Sequence, residues 1–293
     1  MTSQAPETWT LRKALAWMSA DFRQRGIESA RLDAELLAAH ALGCERIGLY
    51  MDLDRPLNEG EREGMRSLVQ RRRRFEPVAY ILGRREFYGR SFQVSSAVLV
   101  PRPDTETLVE KALEWIDAHA CRRVLDLCTG SGAIALSLAA ERPELQVDAS
   151  DLSAAALAVA RANRDALGLS ERVRLYEGDL CAALPEGARY DLITCNPPYI
   201  SDAEWPTLPP DVAEHEPALA LRGGAEGLDF YRRLAQELPA FMEAGAGVLL
   251  EIGWKQAQAV RALFEANAAF EALHCFADLG GNDRVIRANR RAG

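Results

Sequence analysis

A chain of 293 residues, 48% hydrophobic and 27% charged, is long enough for one large or two smaller domains around a substantial buried core. No run approaches the ~20 apolar residues that a helical bilayer span needs, which excludes a membrane-spanning helix. The net charge of −8 divides into +3 over residues 1–90 (16 Lys and Arg, 13 Asp and Glu) and −11 over the remainder, so the second part is poorly suited to wrap a nucleic-acid backbone.

The first elements read as helices. Thr10 caps a segment with Leu11, Leu15, Met18 and Phe22 at spacings of four, three and four, and Gly26 stops it. A second helix runs from Ser29 through Leu32, Leu36, Leu37 and Ala39 to Gly43, with a capping Ser at its start and a Gly at its end. Asn58 with Glu61 opens a third, carrying Met65, Leu68 and Val69. These stripes need partners, so a small helical bundle is expected. Arg71 to Arg74 fall at the end of the third helix, where positive charge suits the dipole, and read as a solvated helix end rather than an RNA-binding patch. From Glu86 the pattern becomes that of a β-hairpin: Phe87-Tyr88, a Gly89-Arg90 turn, then Phe92 and Val94, stopped by Pro101 and Pro103.

After a long helix from about Asp104, strand candidates alternate with helices. The strands are Arg123 to Leu127, Leu145 to Ala149, Val173 to Glu177, Tyr190 to Cys195, Gly247 to Ile252, Ala272 to Phe276 and Arg284 to Arg287. Helical patterns such as Ala133 to Ala140 and Ser153 to Leu167 separate them, which implies a mainly parallel α/β sheet covered on both faces. The expected organisation is a helical region over 1–85, a hairpin linker over 86–103 and the α/β domain over 104–293. Cys44, Cys121, Cys128, Cys181, Cys195 and Cys275 include no C-x-x-C pair, and His40, His119, His215 and His274 are equally dispersed. Free thiols and no metal site are expected. The opening MTSQAPETWTLRKAL lacks an apolar segment long enough for a signal peptide, so a cytoplasmic location is expected.

Four strand ends carry chemistry. Asn196-Pro197-Pro198-Tyr199 follows the fourth strand and places a carboxamide and an aromatic ring at the carboxyl edge, where open α/β sheets bind ligands. The two prolines stiffen the turn and leave its carbonyls free, a setting for a planar NH₂ group. After the first strand comes Cys128-Thr129-Gly130-Ser131-Gly132, whose glycines let a ligand approach the backbone. With Ala135 in the third position of a G-x-G-x-x-G pattern, a nicotinamide dinucleotide stays open at this point. Asp151 ends the second strand, where a carboxylate can take both hydroxyls of an adenosine ribose, and Asp179 ends the third, where it can meet the exocyclic amine of adenine. Each Asp alone reads as a cap or turn residue; together with the Gly turn and Asn196 they share one sheet edge.

With these motifs the chain resembles the class I S-adenosylmethionine-dependent methyltransferases, and Asn196-Pro197-Pro198-Tyr199 narrows the resemblance to enzymes that methylate amide or amine nitrogens. Pro77 to Gly83, Val100 to Glu110, Glu214 to Leu219 and Gly281 to Arg284 look like segments of the HemK/PrmC family, the glutamine methyltransferases of peptide chain release factors. The resemblance implies a Rossmann-like sheet of seven mostly parallel strands with an antiparallel last hairpin, preceded by a small all-α substrate-docking domain and the hairpin linker. It implies S-adenosyl-L-methionine as cofactor, released as S-adenosyl-L-homocysteine, and class 1 release factors bearing a Gly-Gly-Gln motif as partners, with no nucleic-acid substrate and no membrane. Cys128, Thr129, Gly130, Ser131 and Gly132 would wrap the cofactor, Asp151 would hold its ribose, and Asp179 and Leu180 would meet its adenine. Asn196, also near the methionine part, would hold the substrate glutamine with Pro197, Pro198 and Tyr199. The chain departs from the family where Gly is usual at Cys128, whose side chain must point away from the ligand, and where an aromatic is usual at Leu180. The alternatives are a glutamine methyltransferase of a large-subunit ribosomal protein, an adenine-N6 nucleic-acid methyltransferase, and a non-enzymatic adaptor.

Overall fold

The computed structural model describes residues 8–292. They form two compact units, one running to Gly83 and joined by Pro210–His215, the other made of Arg84–Pro209 and the chain from Glu216 onward.

The first unit is a helical bundle of α1 (Leu11–Gln24), α2 (Ala30–Ala41), α3 (Glu59–Arg72) and the short α4 (Val78–Leu82). Thr10 caps α1 by accepting from the Lys13 amide, and Asn58 with Glu61 forms a reciprocal capping box on α3. Leu11, Met18, Phe22, Leu37, Leu49 and Val69 fill the core. Ser29 makes no capping bond. The apolar stripe of α2 is also displaced from its expected face, since Leu32 is 43% exposed while Asp33 is 4% exposed. The cause is an ion pair: Arg72 Nε donates to Asp33 at 2.8 Å, both side chains buried. The arginine run is therefore not a solvated helix end. Successive helical residues point about 100° apart, so Arg72 faces inward while Arg71 pairs with Glu76 and Arg73 donates to Asp21 at 2.7 Å.

The second unit opens with β1 (Arg84–Phe87) and β2 (Arg90–Gln93), an antiparallel hairpin. Its two-residue turn is Tyr88-Gly89, both with positive φ (47° and 69°), one residue earlier than expected. That geometry matches the twist of the strands it joins. Then follow α5 (Glu106–His119), β3 (Arg123–Leu127), α6 (Ala133–Glu141), β4 (Gln146–Asp151), α7 (Ala154–Ala166), β5 (Val173–Glu177) and β6 (Tyr190–Cys195). Past α8 (Pro210–Ala213), which belongs to the first unit, come α9 (Asp229–Glu237), β7 (Met242–Glu251), α10 (Ala257–Glu265), β8 (Phe270–Ala277) and β9 (Asp283–Arg290).

Seven strands form one sheet in the order β5-β4-β3-β6-β7-β9-β8, with β9 antiparallel to both neighbours and the other pairings parallel. Alternating side chains feed two cores: Val124 and Leu192 pack on one face with Trp115 and Leu136, and Leu125 and Ile193 on the other with Tyr231 and Phe264. Strand order reverses between β3 and β6, the position at which such sheets open a crevice at their carboxyl ends. Among the described residues, no helix is long and apolar enough to cross a membrane.

Candidate functional site

The crevice is built from turns that only an unusual backbone can make. Directly after β3, Cys128, Gly130 and Gly132 all have positive φ (56°, 56° and 81°). The two glycines answer different demands. A Cβ on Gly130 would meet nothing within 4 Å, so its space is open toward the cavity, whereas one on Gly132 would press Leu136 Cδ1 at 2.9 Å. Cys128 adopts the left-handed region with a side chain, at a cost of roughly 1–2 kcal/mol, and packs on the core cluster that contains Cys181 and Cys195. Three cysteines scattered in sequence thus meet beside the turn. Cys128 nevertheless also borders the cavity.

Beneath the turn lies Asp126, which motif reading passed over. It is fully buried and accepts from Thr129 Oγ1 at 2.6 Å and from Thr194 Oγ1 at 2.8 Å. Burial pushes its carboxyl up to about 7. Because Thr129 belongs to the turn and Thr194 stands two residues before Asn196, this carboxyl ties the two motif segments across neighbouring strands. Asp151 at the end of β4 accepts from the Gly130 amide at 2.8 Å and the Ser153 amide at 2.9 Å, and burial raises its pKa. One amide per oxygen leaves each a further lone pair for a hydroxyl. Asp179 is half-exposed and paired with Arg233 Nη1 at 3.0 Å, while Leu180, with φ of 48°, is buried.

Cys128, Thr129, Gly130, Ser131, Asp151, Asp179, Leu180, Asn196 and Pro198 line one cavity; Gly132, Pro197 and Tyr199 lie outside its lining. Pro217, Leu219, Ala220 and Phe230 add an apolar wall. Behind the Asn196–Tyr199 segment is a brace invisible to motif reading. Gln256 Nε2 donates to the carbonyls of Tyr199 (3.0 Å) and Gly227 (3.1 Å), and its Oε1 accepts from the Gly253 amide at 2.9 Å. Glycines let the backbones close in: a Cβ on Gly223 would stand 2.8 Å from the Pro198 carbonyl oxygen, and one on Gly227 2.2 Å from that of Tyr199. The Tyr199 phenol is pushed up to about 12 by burial and is neutral at ordinary pH. Carboxylates at one end, apolar walls between them and a braced carboxamide at the other suit a long ligand carrying hydroxyls, an amine and an apolar middle. Among the described residues, no His, Cys, Asp and Glu cluster could hold a metal ion.

Two family models match: the PrmC N-terminal domain over residues 13–83 and the methyltransferase small domain over residues 105–208. The release factor glutamine methyltransferase of Geobacter sulfurreducens is 43% identical over 286 residues, 97% of this chain and 98% of its own length. That of Rhodopirellula baltica is 42% identical over 282 residues, 95% of each. Among solved structures, the catalytic domain of hMettl16 in complex with MAT2A 3′UTR hairpin 6 superposes with a TM-score of 0.59 at 17% identity, over 75% of this chain and 84% of that one, a likeness of fold.

Proposed function

Because the chain belongs to the release factor glutamine methyltransferase family, we propose that it transfers a methyl group from S-adenosyl-L-methionine to the side-chain amide nitrogen of the Gly-Gly-Gln glutamine in class 1 peptide chain release factors. The observation that carries the reading is the convergence of Asn196, Asp151 and the Cys128–Ser131 turn on one cavity.

The residues fit the cofactor. The Asp151 carboxylate has acceptor capacity for two ribose hydroxyls, and the open space at Gly130 admits a ligand against the backbone. Asp179 is the acceptor for the adenine amine, beside Leu180. When bound, the cofactor would supply an electrophilic methyl on a sulfonium: the S–CH₃ bond would break to leave a thioether as the N–CH₃ bond formed, and the proton displaced from the nitrogen would pass to water. The protein's task is placement. A carboxamide nitrogen is a poor nucleophile because its lone pair is delocalised into the carbonyl. Asn196 Oδ1 at the cavity wall accepts from one N–H group, and the Pro197 carbonyl, which lies just outside the lining between Asn196 and Pro198, takes the other once the glutamine is seated; together they orient the nitrogen and favour its pyramidal form in the transition state. Such alignment can be worth up to ~7–11 kcal/mol. Tyr199, outside the lining but directly after Pro198, is assigned to cover the amide plane and the apolar stem of the glutamine once it is seated. We assign residues 1–85 to release-factor docking, residues 86–103 to a linker and residues 104–293 to methyl transfer, with the cytoplasm, where release factors act, as the site of action.

The test is mass spectrometry of the tryptic Gly-Gly-Gln peptide of a purified release factor, incubated with cofactor and either the native protein or Asn196→Ala. The native protein adds one methyl group; Asn196→Ala adds none while binding the cofactor within a few-fold of native affinity. Methylation of a large-subunit ribosomal protein or of duplex DNA, with the release factor untouched, overturns the reading.

A further inference from the structure

Glu251 is the last residue of β7, and the Cys195–Leu250 pairing brings it beside Asn196 at the end of β6. Its side chain is 2% exposed, and Oε2 makes no hydrogen bond. The strand pairing puts the Asn196 carboxamide next to the carboxylate, and this group and the Thr105 hydroxyl are the neighbouring side-chain donors that favour its charged form. Arg284 lies near but is not a dedicated counter-ion, since it donates to Asp278 at 3.0 Å and stands 3.4 Å from Asp104. A carboxylate buried with so few partners is costly. A neutral residue would fill the space at lower cost, so the acceptor has a use.

That use follows from the near-symmetry of a carboxamide. Turned by 180°, Asn196 would present its NH₂ to the substrate NH₂, donor against donor. Only the other orientation offers Oδ1, and an ionised carboxylate, which accepts and cannot donate, selects it. We infer that Glu251 is a positioning residue that takes the Asn196 NH₂ as donor and so keeps Asn196 Oδ1 turned toward the substrate nitrogen. This inference rests on the proposed reaction. It also gives a task to two segments that the amide clamp does not use: Thr105, in the Val100 to Glu110 stretch, and Arg284, after Gly281, both favour the charged form of Glu251.

Ionisation matters to this role. Burial is the largest influence on Glu251 and holds its carboxyl up at about 7; Arg284, Thr105 and Asn196 favour the charged form, and Asp104 opposes it. The phenols of Tyr199 and Tyr231 also face it, and both are held neutral by burial. A protonated Glu251 can donate to Asn196 Oδ1 and hold the unproductive orientation. Turnover therefore falls as pH drops through about 7 and recovers above it.

The experiment uses the full chain as native protein, Glu251→Ala and Glu251→Gln, with a release factor as methyl acceptor. Turnover against pH, KM, affinity for S-adenosyl-L-homocysteine and the side-chain NH₂ signals of ¹⁵N-asparagine-labelled protein are read, with the Asn196 pair assigned by its loss in Asn196→Ala. Glu251→Ala lowers kcat about 100-fold, the scale of a misplaced group in a positioning mechanism, leaves KM and cofactor affinity within about threefold, and speeds solvent exchange of the Asn196 NH₂. Glu251→Gln, which can still accept, restores kcat to within about tenfold of native but lacks the limb below about pH 7. Native kcat in Glu251→Ala, an unchanged Asn196 signal, or losses of cofactor affinity and melting temperature that track the loss of rate would overturn the inference. Should Glu251→Ala not fold, the acid limb of the native protein against Glu251→Gln decides it. A native protein that methylates no release factor sinks the proposed reaction instead, and the Asn196 signal still decides the orientation.

Discussion

Gly227→Ala should separate the brace behind the amide clamp from the stability of the fold. Two penalties are added at this position. Its φ is 71°, which costs a residue with a Cβ roughly 1–2 kcal/mol. The second is a collision: the new Cβ would stand 2.2 Å from the Tyr199 carbonyl oxygen, where ordinary contact begins at 3.4 Å, so something must give by 3.4 − 2.2 = 1.2 Å. The oxygen it strikes is the one Gln256 Nε2 holds at 3.0 Å, and Tyr199 is covalently continuous with Pro197 and Asn196. A shift of about 1 Å in a positioning group is worth about 100-fold in rate. Gly245→Ala is the matched control, since its φ is 78° and a Cβ there meets nothing within 4 Å. Both variants should lose a few degrees in melting temperature, about 2–4 °C per kcal/mol for a domain of this size. Only Gly227→Ala should lose about two orders of magnitude in kcat with cofactor affinity nearly unchanged. Equal turnover in the two variants, measured on protein that melts cooperatively, would refute the claim that the brace sets the position of the clamp.

Two further outcomes follow from buried carboxylates. Arg72→Met leaves the Asp33 charge buried without its partner and should destabilise the helical unit by about 3–5 kcal/mol, whereas Arg72→Met with Asp33→Leu should recover most of that loss; hydrogen exchange across α2 and α3 reads both, and a double variant no better than the single one refutes the assignment. Asp126 is pushed up to about 7 in the fold and lies near 3.9 in an unfolded chain, so the native state holds its proton more tightly. Its contribution to stability is fully present below pH ~4 and is lost as pH rises through about 7. Melting temperature should decline from pH 5 to 8 in the native protein and decline less in Asp126→Asn; parallel curves would show that Asp126 is ionised throughout.

The central strands Arg123–Leu127 and Tyr190–Cys195 were legible because they are buried on both faces and read as short apolar runs, and both are observed with the expected bounds. The edge strand Val173–Glu177 also has the expected bounds, though only Val173 in it is buried. The later strands run longer than expected. β7 begins at Met242, five residues early, since Glu243, Ala244 and Gly245 are exposed and give no apolar signal. In the helical unit Leu32 was a false core residue because a stripe of apolar letters cannot reveal that Asp33, nearly 40 positions from Arg72, is neutralised by it. The arginine run misled for the same reason: its partners Glu76, Asp33 and Asp21 come from three parts of the chain.

The site divides along the same line. Residues proposed to meet a ligand through their own chemical type, such as Asn196, Asp151 and Gly130, stand out at strand ends because their chemistry is unusual there. Residues that hold those groups in place do not. Gln256 acts on two backbone carbonyls, Gly227 by lacking a Cβ, Asp126 through two hydroxyls on neighbouring segments, and Glu251 by facing Asn196 from the next strand. Each would be unremarked in isolation: a Gln near a helix start, a Gly in a loop, an acid within an apolar strand. Yet positioning is the main catalytic resource of a reaction whose nucleophile is an amide and whose electrophile arrives with the cofactor. The chemistry of the clamp can therefore be read from a few residues in line, while its rate depends on residues whose meaning exists only once the sheet has brought their strands together.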